Sequence, residues 1–160
     1  MADEEIRELL TSLARTEVDI SLLLAEIPAA CITVKPALIE FSVLENICHL
    51  RDIEIEGYGV RIQRILSEEN PFLSDIDGSR LAIERDYNKQ SLSDALASFS
   101  SARRQNLDVL NNSAVDFERT GELEGVGSVT LRKLLEMMFE HDQGHIEELR
   151  RVGRLTRDKS

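Results

Sequence analysis

The chain has 160 residues, of which 19 are basic and 30 acidic, for a formal net charge of −11. That length suits one domain, and 42% hydrophobic residues with charges spread along the chain exclude a largely disordered one. The acidic balance, with no long basic run, argues against nucleic acid and anionic membrane surfaces as partners.

The N-terminus, Met1 to Glu5, is acidic, no small-residue cleavage site follows, and no apolar stretch reaches the 18 or so residues of a membrane span. The expectation is a cytoplasmic protein whose two cysteines, Cys31 and Cys48, are reduced thiols. Helical periodicity begins at once. Ile6, Leu9, Leu10, Leu13, Ile20, Leu24 and Ile27 recur at 3/4 spacing, predicting a first helix from about Asp3 to Ile27 that Pro28 closes. A second helix starts at Ser42, which forms a capping box with Glu45. It continues through Leu44, Ile47, Cys48, Arg51, Ile55, Tyr58, Ile62 and Ile65 to Asn70-Pro71, and Gly57 and Gly59 weaken it without ending it.

Residues 71–90 are polar and irregular, with Asp77-Gly78 marking a turn, and read as a long crossover that is functional or carries its own short helix. Ser91 and Asp94 then cap a third helix with the seam Leu92, Ala95, Leu96, Phe99, Ala102, Arg103 and Leu110. After a loop containing Gly121, Gly125 and Gly127, a fourth helix runs from Ser128–Thr130 to about Val152. Its predicted seam is Leu131, Leu134, Leu135, Met138, His141, His145, Leu149 and Val152. No segment alternates with period 2 for long enough to be a strand. The fold class is therefore all-α: one four-helix-bundle domain, core about 3–152, up-down with long crossover connections.

Chemistry concentrates on the histidines. His141 and His145, two of only three in the chain, lie four apart, which stacks them on one helix face. On the predicted seam they replace hydrophobes, and two polar rings in a core need partners. A metal ion would serve if a facing helix gave a third ligand, and His49 of the second helix is the remaining histidine. His49 shares a stripe with Glu45, Asp52 and Glu56, so that stripe lines a groove. Residue spacing alone leaves two readings open: a three-histidine metal site, or two hydrogen-bonded core histidines and an exposed one. Three imidazoles suit zinc, nickel, copper or iron and leave a position for water or substrate. The string His141-Asp142-Gln143-Gly144-His145 departs from the zincin motif, having aspartate where the glutamate base would stand.

Phe41-Ser42-x-x-Glu45-x-x-x-His49-Leu50-x-Asp52, then Phe99-x-x-x-Arg103, then Val129-Thr130-Leu131 leading to His141-Asp142-x-x-His145-Ile146, resembles the DinB-like (YfiT-like) family in order and spacing over residues 5–152. The resemblance implies a four-helix bundle holding one divalent transition metal, zinc or nickel before iron or manganese, on His49, His141 and His145. Members often carry tryptophan where this chain has Phe41, and the chain has no tryptophan. Characterised relatives include metal-dependent transferases and isomerases that use low-molecular-weight thiols such as bacillithiol, mycothiol or glutathione.

The expected activity is accordingly a metal-dependent thiol S-transferase, or a hydrolase that activates water. Asp52 and Glu45, one turn from His49, and then Asp142 are candidates for orienting a ligand or for acid-base work. Arg103 interrupts the third helix's apolar seam and either holds a substrate carboxylate or pairs internally with Glu17. Expected partners are a small-molecule thiol or other small substrate, and a second copy in a homodimer. The competing reading is a non-enzymatic metal-binding or dimeric interaction module. It needs a closed site, with a fourth ligand such as Glu45 or Glu17.

Overall fold

The computed structural model describes residues 2–158. Helix α1 spans Ala2–Ala25, α2 Val43–Asp52, α3 Gly59–Ser67, α4 Gly78–Glu84, α5 Leu92–Leu110 and α6 Leu131–Arg157. A π-helical turn, Ile53–Tyr58, joins α2 to α3, so the predicted second helix is one continuous rod. Ser42 and Glu45 form the expected capping box, Ser91 and Thr130 accept the first free amides of α5 and α6, and Asp77 caps α4 inside the crossover.

α1 packs on α5 and α6, and α2 packs on the same two helices. Glu5 meets Arg132 and Thr16 meets Asp142, so α1 and α6 run the same way. Glu40 meets Arg151 and Asn46 meets His145, so α2 opposes α6, while Arg103 and Arg104 reach back to Leu13 and Glu17 across antiparallel α1 and α5. The helix order is up-down-down-up, and residues 68–91 return the chain along the bundle between the parallel rods α2–α3 and α5. This stretch is the crossover expected from the sequence.

Three short strands add a detail the sequence did not predict. β1 (Phe72–Leu73) pairs parallel with β2 (Thr120–Leu123), which pairs antiparallel with β3 (Gly127–Thr130). At two to four residues, none is long enough to display an alternation. The β2–β3 hairpin turns through Gly125 (φ +76°) and Gly127 (φ +103°), left-handed values that favour glycine.

The apolar interior is divided in two. One cluster holds Leu10, Leu13, Ile62, Leu110, Leu134 and Met138, the other Ile20, Ile47, Phe99, Ile146, Leu149 and Val152. Between them every helical rod contributes to a single buried polar layer: Thr16, Glu54, Arg103 with Asn106, and Asp142. Each falls at 3/4 spacing within its own apolar stripe, so the layer continues the core geometrically while breaking it chemically.

The predicted second-helix seam is corrected at the π turn. The Gly59 amide bonds the Glu54 carbonyl, five residues back, and a Cβ at Gly59 would stand 2.8 Å from that oxygen. Glu54, seven residues after Ile47 and four after Leu50, continues the buried stripe of α2 into this turn, and Ile55 is left 44% exposed. The fourth-helix seam also shifts: Asp142 and Ile146 are buried, whereas His141 and His145 lie half-buried at its edge facing α2.

A candidate metal centre of three histidines

His49 of α2 meets His141 and His145 of α6 where the antiparallel rods cross. The Nε2 atoms of His49 and His141 are 3.1 Å apart, and one ligand nitrogen from each ring lies within 4.8 Å of the others. The His145 ring centroid is 4.6 Å from each of the other two. Two imidazole nitrogens bound at 2.0–2.1 Å to one tetrahedral ion stand about 3.4 Å apart, so the facing pair is already near a shared-ion separation. Among the described residues, no aspartate, glutamate or cysteine ligand atom joins the three within that 4.8 Å.

Several neighbours fix the rings. Asn46 donates its amide to the Ser42 carbonyl (3.0 Å), which turns Asn46 Oδ1 toward His145 Nδ1 at 2.7 Å. His145 therefore carries its proton on Nδ1 and keeps the Nε2 lone pair free for a ligand role. His49 packs against Phe41, ring centroids 5.5 Å apart, and against the start of α4, where a Cβ at Gly78 would collide with ring atoms Cε1 and Nδ1. His49 Nδ1 is buried without a hydrogen-bond partner.

Burial, reinforced by the neighbouring rings, lowers the pKa values of His49 and His141 to about 4 and of His145 to about 3. All three are neutral at pH 7, the form that binds metal. The fit to a divalent ion is good: three neutral nitrogen donors converge, and they have more lone pairs and protons than the protein partners nearby can satisfy.

The same shifts predict a pH effect on metal-free protein. Below pH 6.5 the unfolded chain binds protons that the native rings refuse, so stability rises with pH and is lost as pH falls from about 6.5 toward 4. The loss approaches about 1.4 kcal/mol per pH unit for each histidine. Urea midpoints of chelator-treated protein at pH 7.5 and pH 5 measure it, and equal midpoints would mean that the rings protonate freely in the native state.

The other residues singled out from the sequence lie elsewhere. Glu45 closes the capping box, accepting the Ser42 amide at 2.9 Å, and pairs with Lys35 at 3.2 Å. Asp52 is buried and accepts from Arg51 (2.7 Å), Arg85 (2.8 Å) and Tyr87 (2.6 Å). Burial alone would raise its pKa, but those hydrogen bonds hold it below the usual carboxylate range. Asp142 accepts from Thr16 and, through both oxygens, from Arg103.

Arg103 corrects the expectation of a substrate-binding guanidinium. It is 1% exposed, and its five N–H groups go to Glu54 Oε1 and Oε2, Asp142 Oδ1 and Oδ2, and the Leu13 carbonyl, so no donor remains for a ligand. Its internal partners are Glu54 and Asp142; Glu17 pairs with Arg104.

Sequence reading missed Asn46, Gly78 and Glu148. Asn46 and Glu148 stand three residues from His49 and His145 on the same helix faces, a signal that was available. Glu148 lies 3.7 Å from His145 Nδ1, and burial pushes its carboxyl up, opposed by Arg151 and a hydrogen bond from Asn46. Gly78 gives no sequence signal because its importance arises from tertiary approach. A groove of about 340 Å³ opens onto His49 and His145 and is bordered by Ile39, Phe41, Ser79 and Glu148.

The sequence model of the DinB superfamily matches residues 12–149. The chain belongs to the DinB superfamily. The fold agrees: YfiT from Bacillus subtilis, described as a probable metal-dependent hydrolase with an unusual four-helix bundle topology, superposes with a TM-score of 0.86 at 18% identity. The match covers 96% of this chain and 89% of that one. No curated protein matches the chain significantly. Among the described residues, no helix of this DinB-superfamily chain is long and apolar enough to cross a membrane.

Asn46 offers a test of ring orientation separate from the ligands. Asn46→Ala removes the acceptor that fixes the His145 tautomer, and the expected outcome is a metal affinity lower by about 10- to 100-fold with helix content unchanged. Competition with a chromophoric chelator measures it.

Proposed function

We propose that this DinB-superfamily protein is a divalent-metal-dependent enzyme that activates a small nucleophile, a low-molecular-weight thiol or water, on the ion held by His49, His141 and His145. The observation that carries this reading is the set of three neutral imidazoles, two of which, His49 and His145, line a groove, with no fourth histidine, cysteine, aspartate or glutamate ligand atom joining them among the described residues. A bound divalent ion would supply Lewis acidity there, lowering the pKa of a coordinated thiol or water.

The protein's own contributions follow from the geometry. His49, His141 and His145 present lone pairs, Asn46 orients His145, and Gly78 lets α4 close over His49. Phe41 and Ile39 give the groove an apolar border. Zinc and nickel are the favoured ions, since imidazole suits both. The likeness to YfiT supports water as one nucleophile; the sequence resemblance supports a thiol in S-transfer.

A closed structural site is less favoured, because Glu45 and Glu17, the fourth ligands considered from the sequence, are engaged with Ser42 and Arg104. Elemental analysis of tag-free protein tests the reading. About one divalent transition metal per chain is expected, with a lower melting temperature after chelation that added metal restores. A preparation with no metal, and no thermal shift with zinc, nickel, manganese or iron, refutes it.

A further inference from the structure

The groove beside the three histidines has an uneven charge. No lysine or arginine lines it, and its two acidic border residues, Glu40 and Glu148, differ in their engagement. Glu40 accepts a hydrogen bond from Arg151 at 2.8 Å. Arg151 gives its hydrogen bond to Glu40, and although its charge still acts on Glu148, Glu148 itself is hydrogen-bonded by neutral Asn46 and lies 3.7 Å from the neutral His145 ring. Its side chain is 30% exposed, so it is reachable from the groove and only partly screened by water.

Glu148 is also placed to act as something other than a ligand. It approaches His145 on the Nδ1 side, opposite the Nε2 lone pair that the Asn46 bond leaves free. Its carboxylate lines the same groove as His49 and His145, within reach of the free end of a small molecule held there. Ile39, 92% exposed, and Phe41 border the same groove and offer no compensating positive charge.

We infer that the groove selects small nucleophiles whose free end is positively charged, with Glu148 receiving an ammonium group and disfavouring a carboxylate. This inference rests on the metal reading above and names the substrate class for that site. Three thiols of similar length form the probe set: cysteamine, 2-mercaptoethanol and 3-mercaptopropionate. Each presents the same sulfur to the ion, so the ion's own charge is common to all three.

Each thiol is titrated into cobalt-substituted protein, the change in the visible spectrum is followed, and affinities are expressed per thiolate to remove differences in thiol acidity. The expected order is cysteamine, then 2-mercaptoethanol, then 3-mercaptopropionate, with the first and last about tenfold apart. In Glu148→Gln the ratio is expected to fall to within about twofold while 2-mercaptoethanol binding is nearly unchanged. Should that variant fail to fold, the wild-type preference must still shrink with rising salt.

Equal affinities in the wild type, a preference untouched by salt, or a ratio retained in Glu148→Gln overturns the inference. So does a cobalt spectrum that none of the three thiols moves, although the metal reading then stands. Protein that takes up no cobalt overturns the metal reading itself, and this inference with it.

Discussion

His141→Ala is expected to lower divalent-metal affinity by more than the roughly 10- to 100-fold that loss of an outer-shell partner costs. His141 contributes the nitrogen 3.1 Å from His49 Nε2, and its ring also lies 4.6 Å from His145, so its removal leaves two donors on different helices with no third. The consequence is readable without knowing the reaction. Metal at 100 to 1,000 times its dissociation constant stabilises a protein by about 2.7–4.1 kcal/mol. For a domain of this size that corresponds to a melting shift of roughly 5–16 °C, which His141→Ala should lose. The metal-free variant should melt near metal-free wild type, because His141 lies at the edge of the core. His49→Ala and His145→Ala should behave alike, and unchanged metal content in all three would remove the site from consideration.

The degree to which this was legible in the sequence differs between the helices and the site. Four amphipathic stripes, the Ser42–Glu45 capping box, the Ser91 cap and the 71–90 crossover could be read directly, because periodicity and caps are local properties. The π turn could not. It depends on Gly59 allowing its backbone to approach the Glu54 carbonyl, a tertiary-scale fit that no local pattern signals. His49, His141 and His145 were identifiable from spacing and family resemblance, but their second-neighbour contacts were not. Asp52 and Glu45 share the His49 stripe, yet Asp52 turns to Arg85 and Tyr87 and Glu45 to its helix cap. Arg103 was recognisable as an oddity in an apolar seam. Its partners were hidden because the predicted seam ran through Arg51 and Ile55 instead of Leu50 and Glu54, and Asp142 takes the seam position assigned to its histidine neighbours.

Arg103→Met is expected to destabilise the fold by about 3–5 kcal/mol, the usual consequence of breaking a buried ion pair from one side. The variant leaves Glu54 and Asp142, 1% exposed each, facing an apolar side chain, and frees a Leu13 carbonyl bonded at 2.9 Å. At a shift of about 2–4 °C per kcal/mol, the melting temperature should fall by roughly 6–20 °C. Neutralising all three positions, as Arg103→Met with Glu54→Gln and Asp142→Asn, should recover much of the loss, because amides in place of carboxylates remove the uncompensated charge. The comparison separates net energy from specificity. The polar layer draws on every helical rod and divides two apolar clusters that would otherwise tolerate a one-turn slip. A slip of α6 by four residues would set Met138 or Ile146 opposite Arg103, a mismatch far costlier than exchanging one hydrophobe for another. The neutral triple variant should therefore be comparably stable yet less uniquely packed, with reduced dispersion of its side-chain methyl resonances. It should also hold metal more weakly, since His141 and His145 flank Asp142 and depend on the register it sets. Wild-type metal affinity and sharp resonances in that variant would show that apolar packing alone fixes the register.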